Sequence, residues 1–250
     1  MAGDGPNALI DLLAAKPAFG GSTEADHLVK LTDGHLRHGD VDWLEVGAGD
    51  GHHLLYQLSR LSARRRFRVV ALEPAAVGPE LTDGIEWLRI RAEDYGVDRQ
   101  FDWINLRHSA YYFGDPVSEI ARLVARLRGK GALALTHWSG GCVLRRLHLA
   151  ICGEQDNGGS ASIEDLAMAL HRHPELRVSA IRHFDTKLCI DQVLGDHAVA
   201  EALYELVRRG HPALSPANID RAATVAGLLQ ELPDATVRRN GLLLVRRWPD

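Results

Sequence analysis

Nothing constrains this chain more than Val41–Gly51, which reads Val-Asp-Trp-Leu-Glu-Val-Gly-Ala-Gly-Asp-Gly. An apolar run closes in three glycines spaced two apart, and Leu54, Leu55, Leu58 and Leu61 then recur at helical intervals. The pattern predicts strand, tight turn and helix in succession. Glycine admits the backbone that such a turn needs and lets a ligand approach the main chain. The free amides and positive end of the following helix suit a carboxylate or a phosphate.

The rest of the chain supplies a sheet for that turn. Phe67–Leu72 reads as a second strand, with Glu73 at its carboxyl end before Pro74, and Ile85–Ile90 as a third. Phe101–Leu106 is the fourth, running into Arg107-His108-Ser109-Ala110-Tyr111-Tyr112-Phe113. Asp115-Pro116 starts a helix whose stripe of Ile120, Leu123, Val124 and Leu127 ends at Gly129. Ala132–Leu135 is the fifth strand, followed by Thr136-His137-Trp138. Strand and helix alternate, hence a parallel sheet with right-handed crossovers.

Beyond it, helices are expected at Cys142–Ile151, from Ser162 with Asp165 completing a capping box, and at about Asp196–Arg209 and Pro216–Leu232. Gly153–Ser160 is a polar loop, Arg177–Ile190 alternates like a sixth strand, and Leu242–Val245 is a short last strand. Ahead of the sheet, Asn7–Ala15 is a candidate lid and Thr23–Leu31 a helix with Glu24 in its first turn. On local sequence alone Glu24 reads as a carboxylate favoured by the helix dipole, and Arg64-Arg65-Arg66 as a basic helix end.

Which ligand the turn takes depends on spacing. The dinucleotide fingerprint needs a glycine three residues after the second, where this chain has His52. With Glu45 ahead of Gly47, Gly49 and Gly51, the stretch instead resembles motif I of class I methyltransferases that use S-adenosylmethionine. That resemblance implies a Rossmann-like α/β sheet with a mostly helical substrate-binding cap. One unit is expected, its core about 36–138 plus 177–190 and 240–248, its cap about 1–35, 139–176 and 191–239. Glu45, Gly47, Gly49, Gly51, Glu73 and the Ala92–Glu93 turn are the expected cofactor residues, Glu73 accepting from two ribose hydroxyls.

Over most of its length the chain also resembles the histamine N-methyltransferase family. Ser22-Thr23-Glu24 is similar to that family's N-terminal Ser-Thr-Glu, whose glutamate holds the cationic end of the amine. Phe101-Asp102-Trp103-Ile104 and Tyr111-Tyr112 resemble its aromatic-Asp-aromatic-Ile stretch and substrate-side tyrosines. Asn240 falls where the family has a substrate-binding asparagine, and Asp185-Thr186 follows its layout. Departures point to a different amine or azole as acceptor: His108 stands in place of a glutamine, Cys142 in place of a tryptophan, and Phe19 is the lone lid aromatic. The resemblance implies N-methylation of a small molecule, with Glu24, His108, Tyr111, Tyr112 and Asn240 at the acceptor and His108 as base or as orienting partner. Trp138, at the carboxyl end of a strand, is a further candidate for the pocket wall. O- or C-methylation of a small metabolite, with His108 as base, and a non-catalytic binder of the same fold are the alternatives.

Composition excludes other classes. A net charge of −4 gives no reason to expect nucleic acid, and no stretch has the length of a membrane span. Cys142, Cys152 and Cys189 are odd in number and far apart, which argues against a disulfide framework or a zinc site. Reduced thiols and a first segment without a basic n-region give a cytoplasmic expectation. His52-His53 and His171-x-His173 lack the spacing of helical metal ligands and read as surface histidines, so no metal is expected.

Overall fold

The structure, a computed structural model, describes residues 23–75, 84–153, 161–188, 190–208, 219–232 and 237–248. The expected lid at 7–15, Phe19, Cys189 and most of the loop at 153–160 lie outside those residues.

The chain opens with α1 (Glu24–His35), β1 (Gly39–Val46), α2 (His52–Leu61), β2 (Arg65–Leu72), β3 (Ile85–Leu88) and β4 (Phe101–Arg107). Then follow α3 (Pro116–Val124), β5 (Leu127–Trp138), α4 (Val143–Cys152), α5 (Ile163–His171), β6 (Leu176–Val178) and β7 (Arg182–Lys187). The last elements are α6 (Ile190–Gly195), α7 (His197–Arg208), α8 (Arg221–Glu231) and β8 (Val237–Arg247). The sheet order is β3-β2-β1-β4-β5-β8-β6, with β7 also paired to β8. The first five strands are mutually parallel, and β8 runs antiparallel between β5 and the β6/β7 edge. This is the expected Rossmann-like sheet, with one reversed strand.

Local chemistry sets the helix starts. Thr23 caps α1 and exchanges hydrogen bonds with Asp26, and Ser162 and Asp165 do the same for α5. Asp115 accepts from the Val117 and Ser118 amides ahead of Pro116. Capping of α1 therefore falls to Thr23 and Asp26, which leaves Glu24 available for another role.

Three expectations need correction. The apolar stripe does not stay helical to Gly129: α3 ends at Val124, and Leu127 already sits in β5 opposite Phe101. Arg177–Ile190 is not one strand. Ser179 interrupts it, its amide donating to the Leu244 carbonyl and its hydroxyl accepting the Leu244 amide, both at 2.9 Å, so one side chain replaces a ladder step. Arg65 is no exposed helix-end cation. Only 8% exposed, it donates to Asp33 Oδ1 at 2.6 Å and to the carbonyls of Asp33, Leu36 and Arg37, fastening the end of α1 to β2.

Alternation divides the sheet's apolar side chains into two packed faces. Leu44, Val46, Val70, Ile104 and Leu106 join one cluster, and Val41, Trp43, Val69, Ala71 and Trp103 another. A third cluster lies among α4, α6, α7 and α8 and includes Trp138 at the carboxyl end of β5.

Candidate active site

The carboxyl ends of β1, β2 and β4 meet at the glycine turn. Gly47, Gly49 and Gly51 have φ of +71°, +58° and +80°, values that side chains beyond Cα strain. The Gly47 and Ala48 amides donate to the Leu72 carbonyl at 2.9 and 3.1 Å, folding the turn over the end of β2. Glu73, the next residue, accepts the Gly49 amide at 2.9 Å on Oε2 and the Ala75 amide at 2.9 Å on Oε1. A methyl group added at Gly47 would lie 2.6 Å from Ser109 Oγ, whereas one at Gly49 would meet nothing within 4 Å. Ser109 in turn donates to the Val46 carbonyl at 2.7 Å, so the loop after β4 is seated on the turn. Sequence reasoning overlooked Ser109; its small side chain beside the strand-four loop was the signal.

The other expected cofactor residues differ in surroundings. Glu45 is buried within the sheet, accepting from Trp43 Nε1 at 2.9 Å and from Asn105 Nδ2 at 2.9 and 3.0 Å. Burial pushes its carboxyl up to about 7, against the pull of those donors. Ala92 is buried in a single 3-10 turn after β3, its carbonyl taken by the Arg122 guanidinium, and Glu93 beside it is exposed.

A second constellation gathers around Glu24, which is 6% exposed at the start of α1. Arg107 Nε donates to its Oε1 at 2.5 Å, His108 Nε2 lies 3.0 Å from Oε2, and Asn240 Nδ2 donates to Oε2 at 3.2 Å. A buried second guanidinium, Arg238, stands 3.9 Å from the same oxygen. Three residues singled out in the sequence thus meet: His108 and Asn240 both bond Glu24, although α1, the loop after β4 and β8 supply them separately. Burial alone would raise the Glu24 pKa, but His108, Arg107 and Arg238 hold it well below the carboxylate range. The His108 pKa is lowered too, because burial of its ring outweighs the attraction of Glu24. An ionised carboxylate with two guanidiniums and a neutral imidazole results. A cation-holding role for Glu24 has to contend with the cations this chain already places there.

His108 is the single non-glycine with positive φ among the described residues, at +49°. Strained backbone of this kind persists where the surroundings hold it in place, here through its amide on the Thr136 carbonyl at 2.9 Å and its ring on Glu24. His53 corrects the surface reading: it is half-buried, and burial with nearby Arg107 lowers its pKa to about 3. His137 is likewise lowered to about 3, by burial and then by His108. Adjacent to these imidazoles, Tyr111 stacks on Trp138 at 4.9 Å and 26° and meets His137 at 5.4 Å and Tyr112 at 4.6 Å. Trp138 faces Asn240 across the β5–β8 ladder, while Tyr112 is 44% exposed. Among the described residues no group of three His, Cys, Asp or Glu side chains is arranged to hold a metal.

The sequence matches no protein-family model and no curated protein. Solved structures do match over nearly the whole chain. The YcgJ protein of Bacillus subtilis is 17% identical with a TM-score of 0.55, over 88% of this chain and 97% of its own. The plantazolicin methyltransferase BpumL in complex with SAH is 11% identical with a TM-score of 0.52, over 97% and 86%. The [4+2]-cyclase SpnF is 16% identical with a TM-score of 0.58, over 96% and 93%. The fold is that of class I methyltransferases, and that fold also includes a protein named for a cycloaddition.

Proposed function

We propose that this chain is an S-adenosylmethionine-dependent methyltransferase with a small-molecule acceptor. The observation that carries the proposal is the turn of three left-handed glycines clasped by Glu73. An acid at the end of the second strand accepts from both ribose hydroxyls of a bound nucleoside, so Glu73 exchanges the Gly49 amide for them. Gly47, Gly49 and Gly51 keep the main chain open beside the cofactor, the Ala92–Glu93 turn faces its adenine, and Glu45 supports the turn from inside the sheet. SAH in a structural neighbour supports the same cofactor. When bound, the cofactor supplies an electrophilic methyl group on a sulfonium.

The chain's own contribution is to align a nucleophile with that methyl and exclude water. Alignment of this kind is worth up to about 7–11 kcal/mol. Glu24, His108 and Asn240 form the polar wall of the acceptor site, and Tyr111, Tyr112 and Trp138 its aromatic wall. Among the described residues, that site lies between a sheet core within 36–138, 177–190 and 240–248 and a substrate cap that includes α1, α4, α7 and α8. The acceptor atom is a nitrogen of azole or amine type. Oxygen is the second reading, favoured by the two guanidiniums beside Glu24.

Titration calorimetry with S-adenosylmethionine and S-adenosylhomocysteine tests the proposal. Micromolar binding that disappears in Glu73→Ala supports it; silence from folded protein contradicts it. Transfer itself is read by following an isotopically labelled methyl group into product, since a cyclase shares this fold.

A further inference from the structure

We infer that Glu24 and His108 form a proton-withdrawing dyad, with Nδ1 of His108 as the base, serving acceptors whose nucleophilic atom carries a removable proton: a phenol or enol hydroxyl, or an azole N–H. The inference rests on the methyltransferase reading and narrows its substrate class.

The geometry fixes the tautomer. His108 Nε2 lies 3.0 Å from a carboxylate oxygen, an acceptor only, so in the neutral ring Nε2 carries the proton and Nδ1 the lone pair. Nδ1 is buried and has no hydrogen-bond partner among the described residues. A buried lone pair on a strained residue beside the glycine turn is placed to receive a proton, as the carboxylate-oriented imidazole of a hydrolase is. Glu24 touches no reacting atom in this scheme and is a positioning residue.

Charge selects the acceptor. The groups facing His108 are Glu24 from α1, Arg107 from β4, Arg238 from β8, His53 from α2 and His137 from β5. With the imidazoles neutral, one carboxylate stands against two guanidiniums, leaving a formal charge of +1. Both carboxylate oxygens are engaged by the chain's own donors. An ammonium finds no vacant anion there, whereas an acceptor that becomes an anion as it loses its proton is stabilised. The step balances: the acceptor's X–H proton passes to His108 Nδ1, the freed lone pair forms the X–C bond, and the methyl–sulfur bond breaks with its electron pair returning to sulfur. His108 then releases the proton to solvent.

Nitrogen-15 NMR of the histidine rings tests this in the complex with S-adenosylhomocysteine, with imidazole, phenol and benzylamine as probes. The expected result is a neutral His108 with protonated Nε2 at pH 7, shifted by imidazole and phenol and not by benzylamine, the Nε2 signature vanishing in Glu24→Gln. His108→Asn, which keeps a residue tolerant of left-handed backbone, lowers labelled-methyl transfer about 10²–10⁴-fold while S-adenosylhomocysteine still binds. A charged or Nδ1-protonated His108, a shift with benzylamine in place of phenol and imidazole, or transfer unchanged in His108→Asn overturns the dyad. Loss of S-adenosylhomocysteine binding by the unaltered protein overturns the parent reading instead.

Discussion

Gly47 shows how little freedom the site leaves at the level of one residue. Its backbone is left-handed, and a methyl group there would fall 2.6 Å from Ser109 Oγ. Gly47→Ala is expected to lower stability by about 1–3 kcal/mol in urea unfolding and to weaken S-adenosylhomocysteine binding together with it. Glu45 is expected to make stability pH-dependent. Its folded pKa of about 7 lies above the usual carboxylate value, so the native state holds a proton that the unfolded chain has released, and stability falls as pH rises through that window. Ionising it costs about 3 kcal/mol by pH 8. Glu45→Gln removes that cost, so the variant is expected to be more stable than the unaltered protein at pH 8 and to lose that advantage near pH 5; equal pH profiles would contradict the assignment. Glu45 was legible in the sequence as a motif residue, but its burial was not, because that depends on Trp43 and Asn105 enclosing it. The burial of His53 escaped for the same reason: the groups around it come from α1, β4 and β8.

Among the elements, the amino ends of the central strands are held by one carboxylate. Asp42 is buried and accepts from Arg68 at 2.8 and 2.9 Å, from Arg99 at 3.1 Å and from Arg128, joining β1, β2 and β5 with the segment before β4. Burial raises its pKa, but the three guanidiniums outweigh that and lower it. Because these guanidiniums are partly exposed, Asp42→Asn is expected to cost about 2 kcal/mol, less than a wholly buried pair. The contribution is present above the unfolded pKa and lost as pH falls through the lower folded value, so the gap between the two proteins should close below about pH 4 in urea unfolding. The parallel strands were legible because burial on both faces makes them apolar runs. β8 was legible only at Leu242–Val245. Its outer arms are rich in arginine, and they are strand because their backbone pairs with β7 and β6, partners distant in sequence, with Arg239 also bonded to Asp185 across the β7 ladder. Gly241 on that strand would place a methyl group 2.5 Å from Ile163 Cγ2, so Gly241→Ala should lower the melting temperature through overpacking of about 1–3 kcal/mol.

At the scale of the whole molecule, a mildly acidic chain concentrates positive charge at one buried point, where α1, β4 and β8 converge on Glu24. Composition and periodicity made the fold class readable and placed the turn. The meeting of Glu24, His108 and Asn240 was suggested by family resemblance alone, because no local pattern reports a contact between residues 216 positions apart. Among the described residues no helix is long and apolar enough to cross a membrane. On the proposed reading the glycine turn and Glu73 hold the cofactor, with the strand-four loop seated against the turn through Ser109. Amide chemical-shift mapping of the labelled protein during titration with S-adenosylhomocysteine tests it most directly. The largest shifts are expected at Gly47–Gly51, Glu73, Ala92–Glu93 and His108–Ser109; shifts confined to other segments, or none at all, would contradict the cofactor assignment.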